Sequence, residues 1–98
     1  MKILFVEDHA LFASQVKGRL DKIKAVTSVT HVRGKDEAIA WLDSGFFDLL
    51  ILDLAILENE RTIAPDLRFG QEVFRHVQKC CPGLPTYFLT TSEPDDDL

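Results

Sequence analysis

Leu49-Leu50-Ile51-Leu52 is an unbroken aliphatic run that stops on a charge, Asp53. A strand apolar on both faces belongs in the middle of a parallel sheet covered on both sides. Parallel neighbours are joined by crossovers, usually helices, so this one run already asks for an α/β chain. A second run, Lys2-Ile3-Leu4-Phe5-Val6, ends on two acids, Glu7-Asp8. If both runs are parallel strands of one sheet, their carboxyl ends lie side by side, where open α/β sheets bind ligands. Three carboxylates then share one small pocket. Crowded like charges repel and raise one another's pKa, an arrangement tolerated chiefly with a cation among them. Oxygen-only donors select Mg²⁺.

The segments between the runs supply the helices. After Asp8, Phe12, Val16, Leu20 and Ile23 recur at helical spacing, with Gln15, Lys17, Arg19 and Asp21 on the other side; this predicts an amphipathic helix over about Ala10 to Ile23. Val26 to Val32 is rich in β-branched residues and closes on Arg33-Gly34, so it reads as a strand, its threonines suiting a sheet edge. Lys35-Asp36-Glu37 opens a second helix with acids in its first turn, an inward stripe of Ala38, Trp41 and Leu42, and Gly45 as its stop. A third helix is expected from about Gly70 to Cys81 with Val73, Phe74 and Val77 inward, followed by Pro82-Gly83 and a fourth strand, Thr86 to Thr90. Strands alternating with helices in this way imply right-handed crossovers and a doubly wound parallel sheet. Thr91 to Leu98 forms an acidic tail.

Composition narrows the function classes. Ninety-eight residues, 46% of them hydrophobic, build one domain with a core and are too few for two. Sixteen acidic against eleven basic residues leave a formal charge of −5 with no basic cluster, which disfavours nucleic acid and anionic membrane as direct partners. The N-terminal run is too short for a signal-peptide core and no stretch is long enough to span a bilayer, so a cytoplasmic location is expected. Cys80 and Cys81 are adjacent, which seldom permits a disulfide without strain; with no second cysteine pair and no histidine expected to converge on them, they read as reduced packing residues without chemistry. His9 stands beside the acids and could be read as a ligand or phosphohistidine, but a hard oxygen site suits Mg²⁺ better and it reads as a surface residue, while His31 and His76 belong to no constellation in the sequence. Sixteen residues, Leu54 to Phe69, separate Asp53 from Gly70, a long connection for a compact α/β unit. Its polar content suits a lid, a docking surface or a tolerated insertion.

Three short stretches taken in order resemble the receiver domain of two-component response regulators. Ile3-Leu4-Phe5-Val6-Glu7-Asp8-His9 is similar to that family's first strand and acid pair, Ile51-Leu52-Asp53-Leu54 to its phosphoacceptor strand, and Phe88-Leu89-Thr90-Thr91 to its hydroxyl-bearing fourth strand. The resemblance implies a flavodoxin-like sheet of order 2-1-3-4, the fifth strand being absent from this chain, over a single receiver domain at 1–98. It implies that Asp53 is the phosphoacceptor and that Mg²⁺ is bound by Glu7, Asp8, Asp53 and the backbone carbonyl of Ala55. It implies that Thr90 donates a hydrogen bond to the new phosphoryl group and so shifts a two-state surface. The donor would be a sensor histidine kinase or phosphotransfer protein, and the reader an output domain or partner protein. Such a chain is a switch whose phosphotransfer and dephosphorylation are self-catalysed, rather than an enzyme by purpose. Asp8 could instead merely cap the first helix, a reading that leaves Glu7 and Asp53 unexplained.

Two departures matter. Receivers close with a strand bearing a phosphoryl-pairing lysine, and this chain carries no equivalent: Lys2 and Lys79 lie at the wrong end of the sheet and Lys35 is displaced sideways. The fourth strand is then expected to be an apolar edge that seeks a partner, through a homodimer or strand exchange, or because the chain is a C-terminally incomplete piece of a longer regulator. The long connection is the other departure, and Arg61 or Arg68 folding over the site is one way to replace the missing charge. Two alternatives stand beside the switch: a degenerate receiver acting as a phosphorylation-independent interaction module, and a haloacid-dehalogenase-like phosphatase. The latter also uses a strand-end Asp with Mg²⁺, but wants an acid where Ala55 stands.

Overall fold

The computed structural model describes residues 1–89. Four strands, β1 (Lys2–Val6), β2 (Ser28–Val32), β3 (Leu49–Asp53) and β4 (Thr86–Leu89), alternate with three helices, α1 (Ala10–Leu20), α2 (Lys35–Ser44) and α3 (Leu67–Cys80). All strand pairs are parallel and the order is β2-β1-β3-β4, as the sequence pattern and the resemblance predicted. Thr90 and the acidic tail lie outside the described residues, so the expected hydroxyl and the end of the fourth strand are not part of this description.

Alternation along β1 and β3 sorts the core into two layers. Leu4, Val6, Leu50 and Leu52 point to one face, where they pack with Val32, Ala38, Leu42, Val73 and Val77 beneath α2 and α3. Ile3, Phe5 and Ile51 point to the other and pack with Ala13 of α1. Every one of these is buried, which is why Ile3 to Val6 and Leu50 to Leu52 carry no polar residue.

The element boundaries depart from the sequence expectation in informative ways. Helix α1 stops at Leu20, and Ile23 is exposed in the turn that follows, so the apolar spacing overran the helix. Trp41 is also exposed and meets Phe47 edge-on, leaving Ala38 and Leu42 as the buried stripe of α2. Helix α3 begins three residues early because Asp66 caps it, its Oδ1 accepting the Arg68 amide at 2.8 Å. The connection after Asp53 is therefore shorter than the sequence suggested, running over 54–66.

That connection is a built structure. Ile56 is fully buried and bridges to Asp66, while the Thr62 hydroxyl accepts the amides of Glu58 and Asn59. The Lys35 and Asp36 amides donate to Leu57 and Glu58 carbonyls, tying the segment to the start of α2. At the far edge of the described sheet, Tyr87 and Phe88 of β4 are 62% and 44% exposed. Phe88 leans on Phe74 of α3, whereas Tyr87 stands on the α1 face. No helix among the described residues is long and apolar enough to cross a membrane.

Candidate functional site

Register brings the acids together. Phe5 pairs with Ile51 and Val6 with Leu52, so the next step along both strands sets Glu7 beside Asp53, both continuing the alternation on the α1 face. Asp8 follows at the turn into α1. One carboxylate oxygen from each of Glu7, Asp8 and Asp53 lies within 4.8 Å of the others. Glu7 is 0% exposed and Asp53 3%, so two of the three charges are withdrawn from solvent.

Local hydrogen bonds fix Glu7 and Asp53. The His9 amide donates to Glu7 Oε2 at 3.1 Å, the Ala55 amide to Asp53 Oδ1 at 3.2 Å, and the Glu7 amide to the Val32 carbonyl at 3.0 Å. His9, not Asp8, caps α1: its Nδ1 accepts the Phe12 amide. The reading of Asp8 as a helix cap therefore fails, and its side chain serves the acid cluster instead.

Electrostatics match the crowding. Burial, then repulsion from Asp53, a hydrogen bond shared with the Asp53 carboxyl, and repulsion from Asp8 push the Glu7 carboxyl up to about 8, the His9 amide opposing this in part. Burial and Asp53 likewise raise Asp8, with Arg33 pulling the other way. Glu7 Oε1 is buried without a hydrogen-bond donor. A buried carboxylate oxygen lacking a donor, faced by two further carboxyls, fits a hard cation coordinated by oxygen, and Glu7, Asp8 and Asp53 are the side chains that would hold it.

A pH dependence follows, with its sign. Because the folded chain holds the Glu7 proton to about 8 while the unfolded chain releases it near 4.5, folding binds protons across that window. Stability of the metal-free protein is therefore expected to fall as pH rises from 4.5 to about 8. Thermal melts in chelator should show this decline, Mg²⁺ should offset it, and Glu7→Gln should flatten it. An unchanged slope in Glu7→Gln would assign the effect elsewhere.

Two neighbours of the acids, Arg33 and His31, escaped sequence reasoning, as did the capping role of His9. Arg33 Nε donates to the Asp8 carbonyl at 3.1 Å, His31 Nε2 lies 2.8 Å from the Glu7 carbonyl, and His9 supplies the cap. The signal was available for Arg33 and His31: β2 runs parallel beside β1, so its carboxyl end must reach the same pocket. Lys35 and Arg68 are engaged elsewhere. Lys35 reaches Glu72 at 2.9 Å and Glu58 at 3.3 Å and lies over the Phe69 ring, and the Glu72 hydrogen bond raises its pKa. Arg68, contrary to the idea that it folds over the acids, pairs with Asp66 at 3.1 Å and remains largely exposed. His76 does not stand alone as expected. It contacts Asp43 at 2.7 Å, with Cys80 in the same cluster, so a histidine does converge on the cysteine pair.

No protein-family model matches the sequence, and no curated protein matches it. Solved structures do. The chain is similar to the MaeR response regulator bound to beryllium trifluoride, at a TM-score of 0.75 and 17% identity over 95% of this chain and 69% of that one. It is similar to RcsB from Salmonella enterica serovar Typhimurium, solved on promoter P1flhDC with the phosphomimetic BeF3⁻, at 0.73 and 20% identity over 92% of this chain. A LuxR-family two-component response regulator from Aurantimonas sp. SI85-9A1 matches at 0.74 and 17% identity over 94% of this chain. The chain spans 41% of that RcsB chain and 59% of the Aurantimonas one. Its fold is that of response-regulator receivers.

Proposed function

We propose that the chain is a receiver that accepts a phosphoryl group on Asp53 from the phosphohistidine of a sensor histidine kinase or phosphotransfer protein, with Mg²⁺ required, and thereby alters its binding to an output domain or partner. The observation that carries this reading is the buried acid cluster, whose mutual repulsion a bound cation would relieve. Mg²⁺, when bound there, supplies charge neutralisation for two anionic reactants.

The chain's own residues do the rest. The Ala55 amide orients the Asp53 carboxylate, whose oxygen bonds to phosphorus as the phosphorus–imidazole bond breaks and its electron pair returns to the ring nitrogen, which takes up a proton. The product is an acyl phosphate, energetic enough to drive a change of state. Glu7, Asp8 and Asp53 would hold the metal, with the Ala55 carbonyl as a backbone ligand. Thr90 takes the switch role, donating to the new phosphoryl oxygen. The switch is read from the cytoplasm and requires no DNA contact by this segment, whose charge is acidic.

Beryllofluoride tests the proposal because with Mg²⁺ it stands in for an aspartyl phosphate. Expected are bound fluorine resonances that need both Mg²⁺ and Asp53. Their absence would favour the second reading, an interaction module that works without phosphorylation. The engagement of Lys35 by Glu58 and Glu72 favours that alternative, since this lysine is not held ready for a phosphoryl oxygen.

A further inference from the structure

Helices α2 and α3 lie side by side on one face of the sheet, and a second donor cluster joins them. His76 and Cys80 are four residues apart on α3 and so share a helix face. Asp43, near the end of α2, points at the same place. One ligand atom from each of the three lies within 4.8 Å of the others, and Asp43 Oδ1 is 2.7 Å from His76 Nε2. The donors are an imidazole, a thiol and a carboxylate, chemically unlike the oxygen-only triad of Glu7, Asp8 and Asp53.

We propose that Asp43, His76 and Cys80 form a site for a borderline divalent ion of the zinc class, which staples α2 to α3. Sulfur and nitrogen donors select Zn²⁺ or Co²⁺, whereas Mg²⁺ prefers oxygen alone, so the two clusters take different ions. Three protein donors leave a fourth position for water. Asp43 and Cys80 line a cleft of about 620 Å³ that also borders Gly45, Phe46 and Pro82, which gives the ion an entry path. Asp43 and Cys80 are exposed and His76 half-buried, so the side chains can open from hydrogen-bond to ligand spacing.

The proton balance is simple. Cys80 gives its thiol proton to solvent on binding, and the proton that His76 Nε2 shares with Asp43 leaves that nitrogen, the ring keeping one on Nδ1, so that the Nε2 lone pair is freed for the ion. Cys81 takes no part: its Sγ faces the Leu42 carbonyl at 3.9 Å. The site is independent of phosphoryl transfer.

Zinc titration with Mg²⁺ in excess tests it directly, on the wild-type chain and four variants. Expected is one Zn²⁺ per chain, retained in Asp53→Asn and Cys81→Ser and weakened about tenfold or more in His76→Ala and Cys80→Ser. Co²⁺ should give a thiolate-to-metal charge-transfer band that Cys80→Ser removes. Zinc binding that survives His76→Ala and Cys80→Ser, that disappears in Asp53→Asn, or that is absent from the wild type would overturn the proposal. Because Asp53→Asn removes the phosphoacceptor, failure of the zinc site and failure of the receiver reading give different results.

Discussion

Asp53→Asn is expected to abolish Mg²⁺-dependent labelling by a small phosphoryl donor such as acetyl phosphate, and at the same time to raise the melting temperature of the metal-free protein. The two effects have one cause. Asp53 is held beside Glu7 by the register of β1 and β3, and its charge is among the causes that raise both Glu7 and Asp8. Asparagine is close to isosteric and its side-chain oxygen can still accept the Ala55 amide, so the loop keeps its geometry. What disappears is one nucleophile and one buried negative charge. Loss of labelling with a lower melting temperature would mean that Asp53 is chiefly structural. Labelling that persists would move the acceptor elsewhere and end the proposed function. Melts in chelator and again in Mg²⁺ separate the terms: the variant should gain in the first condition and lose its metal-dependent increment in the second. A residue that simply stabilised the strand end would not reverse sign between them.

Much of this arrangement was legible in the sequence because burial on both faces leaves a strong mark. Ile3 to Val6 and Leu49 to Leu52 could hardly be anything but central strands, and the acids that end them could hardly lie far apart. The sheet order followed from the resemblance carried by those same residues. What was not legible depends on geometry that no period encodes. His9 displaced Asp8 as the α1 cap through a ring nitrogen that substitutes for the usual oxygen. Asp66 moved the start of α3 upstream, though Asp before a helical run is a cap signal that could have been read. His76 meets Asp43 across a helix–helix contact between residues 33 positions apart, which a linear scan for motifs does not sample. Trp41, apolar and correctly spaced, is exposed because it lies beyond the width of the stripe that α2 buries. Helical spacing locates a face but does not say how wide it is.

The largest stability effect is expected at Gly70. A Cβ built there would stand 2.3 Å from the Leu54 Cα and carbonyl oxygen and 2.6 Å from the Leu54 carbonyl carbon. These are backbone atoms of the segment that immediately follows Asp53, and the Gly70 amide already donates to that carbonyl at 3.1 Å. A flexible side chain could yield, but here either α3 or the loop must move. Overpacking of a tight site typically costs about 1–3 kcal/mol and more where backbone must shift, so Gly70→Ala is expected to lose about 3 kcal/mol or more. For a domain of this size that is roughly 12 °C or more in melting temperature. Because the displaced atoms adjoin Asp53 and Ala55, phosphoacceptor activity should fall with it even below the melting point. Gly18 supplies the contrast. It lies in α1, exposed, with nothing within 4 Å of where an added methyl would sit, so Gly18→Ala should stabilise by about 0.5–1 kcal/mol through helix propensity alone. The same substitution thus carries opposite signs at two helical glycines. Denaturant midpoints for both variants would test this, and a Gly70→Ala protein as stable as wild type would refute the close approach of α3 to the segment that positions the site.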